Sequence, residues 1–200
     1  SVEEGYTYRW EHSHQEVVDA ALEAINTLLS GRNLTLTFLV ENQWWPGFTF
    51  TMPALTRCLL DGIQYENKGI MLDTGHLMNA NLELRTQEEG ADWVSRMLEE
   101  HGGLGSMVRG IHLHQSLSGA YVKAHTGSLP DPWPVDYAEQ FCQSYQHILS
   151  IDTHRPWTPP AVRALVERIA PEWLVHELSA ANRAERDKRL EIQSRALGVL

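Results

Sequence analysis

The sequence KGIMLDTGHLMNA, at residues Lys68–Ala80, joins a short apolar run to a cluster of polar residues. Lys68–Asp73 is rich in apolar residues and is predicted to be a buried strand. Side chains alternate between the two faces of a strand, so Ile70 and Leu72 share one face and Asp73 lies on the other. The pattern predicts an apolar face toward helices and an acid on the opposite face, at the end of the strand.

The same alternation of strand and helix extends in both directions from this segment. Helix Ser13–Leu29 is predicted with a capping box formed by Ser13 and Glu16, because an S-x-x-E pattern precedes residues at helical spacing. Strands separated by helices indicate parallel crossover units and an α/β fold. The other predicted strands are Asn33–Asn42, Val108–Gln115, His147–Asp152 and Trp173–Leu178; the other predicted helices are Pro53–Gln64, Glu88–Glu100, Val135–Tyr145, Pro160–Ile169 and an Arg/Glu-rich closing helix.

Acidic or histidine residues recur near the ends of the predicted strands. A barrel of parallel strands brings these ends together at its carboxyl-terminal rim, whereas a doubly wound sheet buries both of its faces. We therefore predict one domain over residues 1–200 with the fold of an incomplete (β/α)8 TIM barrel of about five βα units. The strand-end residues on the face opposite the apolar side chains are Glu41, Asp73, His112 and Glu177.

Three carboxylates and one imidazole at close range would require a cation. The oxygen-rich set favours one divalent metal ion, Mn²⁺ or Mg²⁺, with Zn²⁺ or Co²⁺ as further possibilities. Any one of these residues is at least as easily explained as a capped or ion-paired strand end. Four matching positions together favour a metal site.

Composition excludes several other classes of protein. The 200 residues include 26 acidic and 16 basic side chains, a net charge of -10, 42% hydrophobic residues and two cysteines. These values are typical of a globular chain that needs no disulfide framework, and the negative charge argues against a nucleic-acid partner. The sequence has no apolar run of about 20 residues and begins without a signal-peptide pattern. We therefore expect a cytoplasmic protein without a membrane partner.

Four segments resemble successive strand-end motifs of the xylose isomerase-like TIM barrel superfamily. They are VENQWW, LDTGHLMNANLE, GIHLHQS and LVHELS, and the most specific match is the D-x-x-H of Asp73-Thr74-Gly75-His76. The superfamily includes sugar phosphate isomerases and epimerases and the endonuclease IV group, AP endonuclease family 2. The resemblance implies that the metal ligands are Glu41, Asp73, His112 and Glu177.

The resemblance also bears on residues around these ligands. His76 matches a residue that contacts substrate, and His112 is preferred to His114 as the ligand. His114 either lines the pocket or is a hydrogen-bonded rim residue, and Gln115 stands where the family usually has an aspartate. Trp44 is predicted to stack on a sugar face, with shielding of the barrel mouth as the alternative.

In a complete barrel of this family Glu41 would end the fourth strand, so the chain would supply strands 4 to 8. An incomplete barrel leaves the edge strand Leu34–Glu41 open to pairing with another chain. We therefore expect either a homo-oligomer or an amino-terminal segment that completes the barrel.

The leading functional hypothesis is a divalent-metal-dependent isomerase or epimerase that acts on a small polyhydroxylated substrate, a sugar or a sugar phosphate. Glu41 and Glu177 would be the catalytic pair that exchanges a proton next to a carbonyl group, and His76 would orient a hydroxyl. One alternative is an endonuclease IV-like zinc phosphodiesterase that adds Asp152 and His154 to the site. The other alternative is a non-catalytic barrel fragment. A melting temperature that does not change when Mn²⁺ is added would favour it.

Overall fold

A computed structural model describes residues 1–200 and contains four β-strands and nine α-helices. The strands form one parallel sheet in the order β1-β2-β3-β4, so each strand lies beside the next one in the chain. The elements are α1 (Glu4–Thr7), α2 (His14–Leu29), β1 (Phe38–Glu41), α3 (Pro53–Gly62), β2 (Lys68–Asp73), α4 (Thr74–Asn79), α5 (Gln87–His101), a 3-10 helix (Gly102–Met107), β3 (Val108–Leu113), α6 (Gly119–His125), α7 (Tyr137–Ile151), α8 (Ala161–Ile169), β4 (Trp173–His176) and α9 (Arg183–Leu197).

The two faces of the sheet differ as the alternation of side chains predicts. One face packs against helices α2, α3, α5 and α8 and forms the main apolar core. The α/β class is confirmed, and the unreversed order of parallel strands is compatible with part of a (β/α)8 barrel. The strand residues in this core are Val40, Ile70, Leu72 and Val108, and Ile111 and Leu113 belong to a second, smaller apolar cluster.

The predicted strand His147–Asp152 is wrong, because His147–Ile151 is the last part of helix α7. Ser144, His147 and Ile151 are the buried residues of this helix, and their spacing of three and four residues is helical. A short apolar run has no period that distinguishes a strand from a buried helical turn. The sheet therefore has four strands instead of the predicted five. Helices α6, α7 and α8 all come between β3 and β4 along the chain, although these two strands are neighbours in the sheet.

The first strand is shorter than predicted. Residues 33–37 do not join the sheet. Side chains from the segment before β2 instead form hydrogen bonds with the backbone carbonyl oxygens of Leu34 and Leu36. The Tyr65 hydroxyl donates to the carbonyl oxygens of Leu34 and Leu36 at 3.0 and 2.7 Å, and the Asn67 amide also donates to Leu36 at 3.0 Å. Strand pairing begins only at Phe38, opposite Lys68.

A buried histidine on α5 makes stability sensitive to acid. His101 is 3% exposed, stacks on Phe50 with ring centroids 3.9 Å apart, and contacts the Thr56 hydroxyl and the Met97 carbonyl oxygen. Burial lowers its pKa below the ordinary 6.5. The neutral ring therefore stabilises the fold above pH 6.5, and this contribution is lost as the pH falls through the lowered pKa.

We expect the melting temperature to fall less in the variant His101→Gln than in the wild type when the pH is lowered from about 7.5 to about 5.5. Thermal unfolding followed by circular dichroism at both pH values measures this difference. The variant His12→Gln is the control, because it removes a histidine that is exposed and lies outside the core. Equal pH dependence of wild type and His101→Gln would contradict the assignment.

Candidate metal centre

The ends of the four parallel strands lie at one edge of the sheet and bring polar side chains together. Asp73, the last residue of β2, pairs in register with His112 of β3, and His112 pairs with Val175 of β4. Glu41 is the last residue of β1, and Glu177 follows the end of β4. These four residues are the metal ligands that the sequence predicts.

The distances place Glu41, Asp73 and Glu177 around the His112 ring. His112 Nδ1 lies 3.1 Å from Glu177 Oε2, 3.4 Å from Glu41 Oε1 and 3.8 Å from Asp73 Oδ2. Ligand atoms of Glu41, Asp73 and His112 all lie within 4.8 Å of one another. Residues that are 136 positions apart in the chain, from 41 to 177, therefore meet around the His112 ring.

The donor atoms fit a divalent ion. His112 Nδ1 and Glu177 Oε2 are both buried without a hydrogen-bond partner, although they are only 3.1 Å apart. Two neighbouring ligands of an octahedral ion, each about 2.1 Å from it, lie about 3 Å from one another. A cation between these atoms would satisfy both of them, so this group of histidine and acidic side chains could hold a metal ion.

Opposite charges in the centre stabilise one another. The carboxylates of Glu177 and Glu41 raise the pKa of His112 to about 10, although burial opposes this shift. The same contact with His112, helped by His154, holds the pKa of Glu177 far below its usual range. The imidazolium thus balances the carboxylates, and a metal ion bound to Nδ1 would have to displace its proton.

Asp73 is held more firmly than the other three residues. It is 0% exposed, and the Asn42 side chain bonds both its backbone N–H, at 2.8 Å, and its carbonyl oxygen, at 3.0 Å. Its Oδ1 accepts the backbone N–H of His76 at 2.7 Å and so caps helix α4. The D-x-x-H motif therefore ends a strand, begins a helix and orients a carboxylate at the same time.

A second group of acidic and histidine side chains adjoins the first. Asp152 Oδ2 lies 3.2 Å from His76 Nε2 and 3.3 Å from His154 Nε2, and Ser116 Oγ donates to Asp152 Oδ1 at 3.2 Å. Burial would lower the pKa of His76, but Asp152 and Asp73 together raise it to about 9. Asp152 reaches this position from the carboxyl end of α7 and not from a strand.

The three residues with a predicted substrate contact, His76, Trp44 and His114, lie beside the centre. His76 is 8% exposed, and its ring centroid is 4.8 Å from that of Trp44, which is half-buried. His114 is 0% exposed, and its Nε2 lies 2.9 Å from Asp73 Oδ1. The substrate contacts of these residues stay predictions.

Sequence reasoning missed Asn42, Asn79 and Ser116. Asn42 is 0% exposed and directly follows Glu41, so a polar residue after a strand-end acid was the available signal. Nothing local distinguishes Asn79 or Ser116, since both acquire their role by contact with Asp152, which is distant in sequence.

A cavity of about 570 Å³ is lined by none of the four residues of the candidate metal centre. Aromatic and apolar side chains of the amino-terminal segment, the loop after β1 and helix α7 line it, among them Trp10, Trp45, Phe141 and Tyr145. The polar centre and this apolar cavity are therefore separate features.

Comparisons with known proteins do not place the chain in a family. No protein-family model matches the sequence, and no curated protein sequence matches it either. None of the nine helices has the length and apolar character that crossing a bilayer requires.

Proposed function

We propose that the chain is part of a divalent-metal-dependent isomerase or epimerase that acts on a small polyhydroxylated substrate. The observation that carries this proposal is the convergence of three carboxylates and His112 at the carboxyl-terminal edge of a parallel sheet. The sequence resemblance to xylose isomerase-like barrels supports it, because the metal ligands implied there are the residues that meet here. Barrel enzymes carry their active sites at this edge.

The chemistry requires a base, an acid and stabilisation of negative charge. A divalent ion held by Glu41, Asp73, His112 and Glu177 would stabilise negative charge on adjacent substrate oxygens. One carboxylate, Glu41 or Glu177, removes the proton from the carbon next to a carbonyl, and the C–H electron pair moves toward the carbonyl oxygen. The other returns a proton to the opposite face of that carbon, or to the neighbouring carbon.

Neighbouring residues position the substrate in this proposal. His76 lies beside the centre and contacts Asp152, so its ring can orient a substrate hydroxyl near the metal. Trp44 offers an aromatic face next to His76 for the C–H face of a sugar.

We also propose that this sheet is a section of a (β/α)8 barrel. β1 lies at one edge and β4 at the other, and a closed barrel requires further strands between these two edges. Either a second copy of the chain or a further segment would supply them.

Hydrogen exchange into substrate tests the reaction class directly. We expect the protein with Mn²⁺ in D₂O to incorporate deuterium next to the carbonyl of at least one member of a panel of free and phosphorylated ketoses and aldoses, measured by NMR. Glu177→Gln should abolish this exchange, because the amide cannot accept the proton. Glu172→Gln is the matched control, since Glu172 is a surface residue paired with Arg109. Exchange that persists in Glu177→Gln would remove Glu177 from the proposed catalytic pair.

The second candidate is an endonuclease IV-like zinc phosphodiesterase. The meeting of His76, Asp152 and His154 favours it, because these side chains extend the first centre toward a second ion. The net charge of -10 opposes DNA binding. Zinc analysis separates the candidates: several zinc ions per chain with salt-sensitive duplex binding support the phosphodiesterase, and a single ion without DNA affinity at low salt excludes it.

A further inference from the structure

We propose that His114 is a positioning residue that fixes the Asp73 carboxylate for metal binding, and that Gly75 provides the space its ring occupies. This inference rests on the proposed function, because it takes Asp73 as a metal ligand. His114 Nε2 lies 2.9 Å from Asp73 Oδ1 and 3.0 Å from Oδ2, and both side chains are 0% exposed. The N–H must therefore be on Nε2, where it donates to the carboxylate.

The His114 ring has little freedom to turn away from Asp73. One side stacks on His154, with centroids 4.2 Å apart and planes 16° from parallel. The His114 carbonyl oxygen accepts hydrogen bonds from the Thr74 hydroxyl, at 2.5 Å, and from the Trp157 indole, at 2.8 Å. The ring and its backbone are thus held by two segments that are distant in sequence, one with Thr74 and the other with His154 and Trp157.

Gly75 follows Asp73 by two residues and packs directly against the His114 ring. A Cβ atom at residue 75 would be 2.0 Å from His114 Cε1 and 2.4 Å from Nδ1, far inside van der Waals contact. Any side chain at this position would push the imidazole away from the carboxylate. A glycine is therefore needed at this position of the D-x-x-H segment, because only a residue without a side chain leaves room for the His114 ring.

This arrangement constrains both carboxylate oxygens of Asp73. Oδ1 accepts the backbone N–H of His76 at 2.7 Å, and His114 Nε2 lies 2.9 Å from Oδ1 and 3.0 Å from Oδ2. Oδ2 is the atom that lies 3.8 Å from His112 Nδ1, on the side of the metal centre. Without the His114 hydrogen bond the buried carboxylate loses its main side-chain donor, and Oδ2 is no longer fixed toward the ion.

Partners of this kind change metal affinity by about 10- to 100-fold when they are removed. We expect His114→Leu and Gly75→Ala to weaken Mn²⁺ binding by about this factor, whereas His114→Gln, whose amide can still donate to Asp73, stays close to wild type. Electron paramagnetic resonance of free Mn²⁺ during titration measures the affinity, and circular dichroism confirms the fold. Recovery in His114→Gln is the result that a merely structural role for the ring would not give.

His147→Leu is the matched control. His147 is also buried and uses both ring nitrogens, toward Tyr121 and Gly5, but it belongs to α7 and faces α1. Its loss should lower stability and leave Mn²⁺ affinity unchanged. If His114→Leu fails to fold, His114→Gln is compared with His114→Asn, whose shorter amide does not reach Asp73.

Three outcomes would overturn the inference. They are wild-type Mn²⁺ affinity in His114→Leu, equal weakening in His114→Leu and His147→Leu, and equal affinity of His114→Gln and His114→Asn. A wild-type protein that binds no Mn²⁺ would overturn the proposed function itself, and the inference with it. Normal wild-type binding with unaffected His114 variants would remove only the inference.

Discussion

Replacing Asp73 with alanine is expected to abolish the stabilisation that Mn²⁺ gives to the wild-type protein. An ion at 100 times its dissociation constant adds about 2.7 kcal/mol to the free energy of unfolding. For a chain of this size that gain corresponds to a rise in melting temperature of about 5–10 °C. Asp73 is the fully buried carboxylate of the candidate centre and one of its four proposed ligands. Thermal unfolding with and without Mn²⁺ measures the effect.

Two further variants separate loss of the ligand from loss of structure. Asp73→Asn keeps an oxygen that can accept the His76 N–H and cap α4, but it lacks the charge that binds the ion. It should fold better than the alanine variant and still lose most of the response to Mn²⁺. Asp92→Asn makes the same charge change at an exposed position of α5 and should respond as wild type. A full response to Mn²⁺ in Asp73→Ala would remove this residue from the ligand set.

Alanine at Gly119 is expected to cause a large loss of stability. Gly119 is the first residue of α6, and a Cβ atom there would lie 2.1 Å from the carbonyl oxygen of Leu82 and 2.8 Å from its carbonyl carbon. These are backbone atoms, which cannot rotate away as a side chain can. Overpacking of this kind costs about 3 kcal/mol, the upper end of the usual range. The melting temperature should fall by roughly 6–12 °C, as measured by calorimetry.

Gly103→Ala is the matched control for this substitution. Gly103 lies in the 3-10 helix before β3, and nothing stands within 4 Å of a Cβ atom placed on it. Its melting temperature should change little. Similar effects of the two substitutions would show that the contact between Gly119 and Leu82 does not limit stability.

Local signals were sufficient for much of the fold and for part of the site. The capping box of Ser13 and Glu16 is confirmed at the start of α2. Strand β2 is confirmed from Lys68 to Asp73, with its apolar side chains on the helix side of the sheet. Helix capping and the alternation of side chains along a strand depend on residues within a few positions of one another. Both can therefore be predicted from the sequence. The same alternation selected the four strand-end side chains that meet at the candidate metal centre.

Contacts between residues that are distant in sequence determine the features that local sequence patterns did not predict. The segment His147–Ile151 is helical because its buried side chains pack at helical spacing, and a short apolar run is compatible with either structure. Asp152 was predicted as a strand-end residue, yet it enters the site from the end of a helix. The enclosure of His114 between Asp73, His154 and Gly75 likewise requires segments that approach one another only in the folded chain. Short-range sequence patterns determine which face a side chain occupies, whereas packing between remote segments determines which atoms it touches.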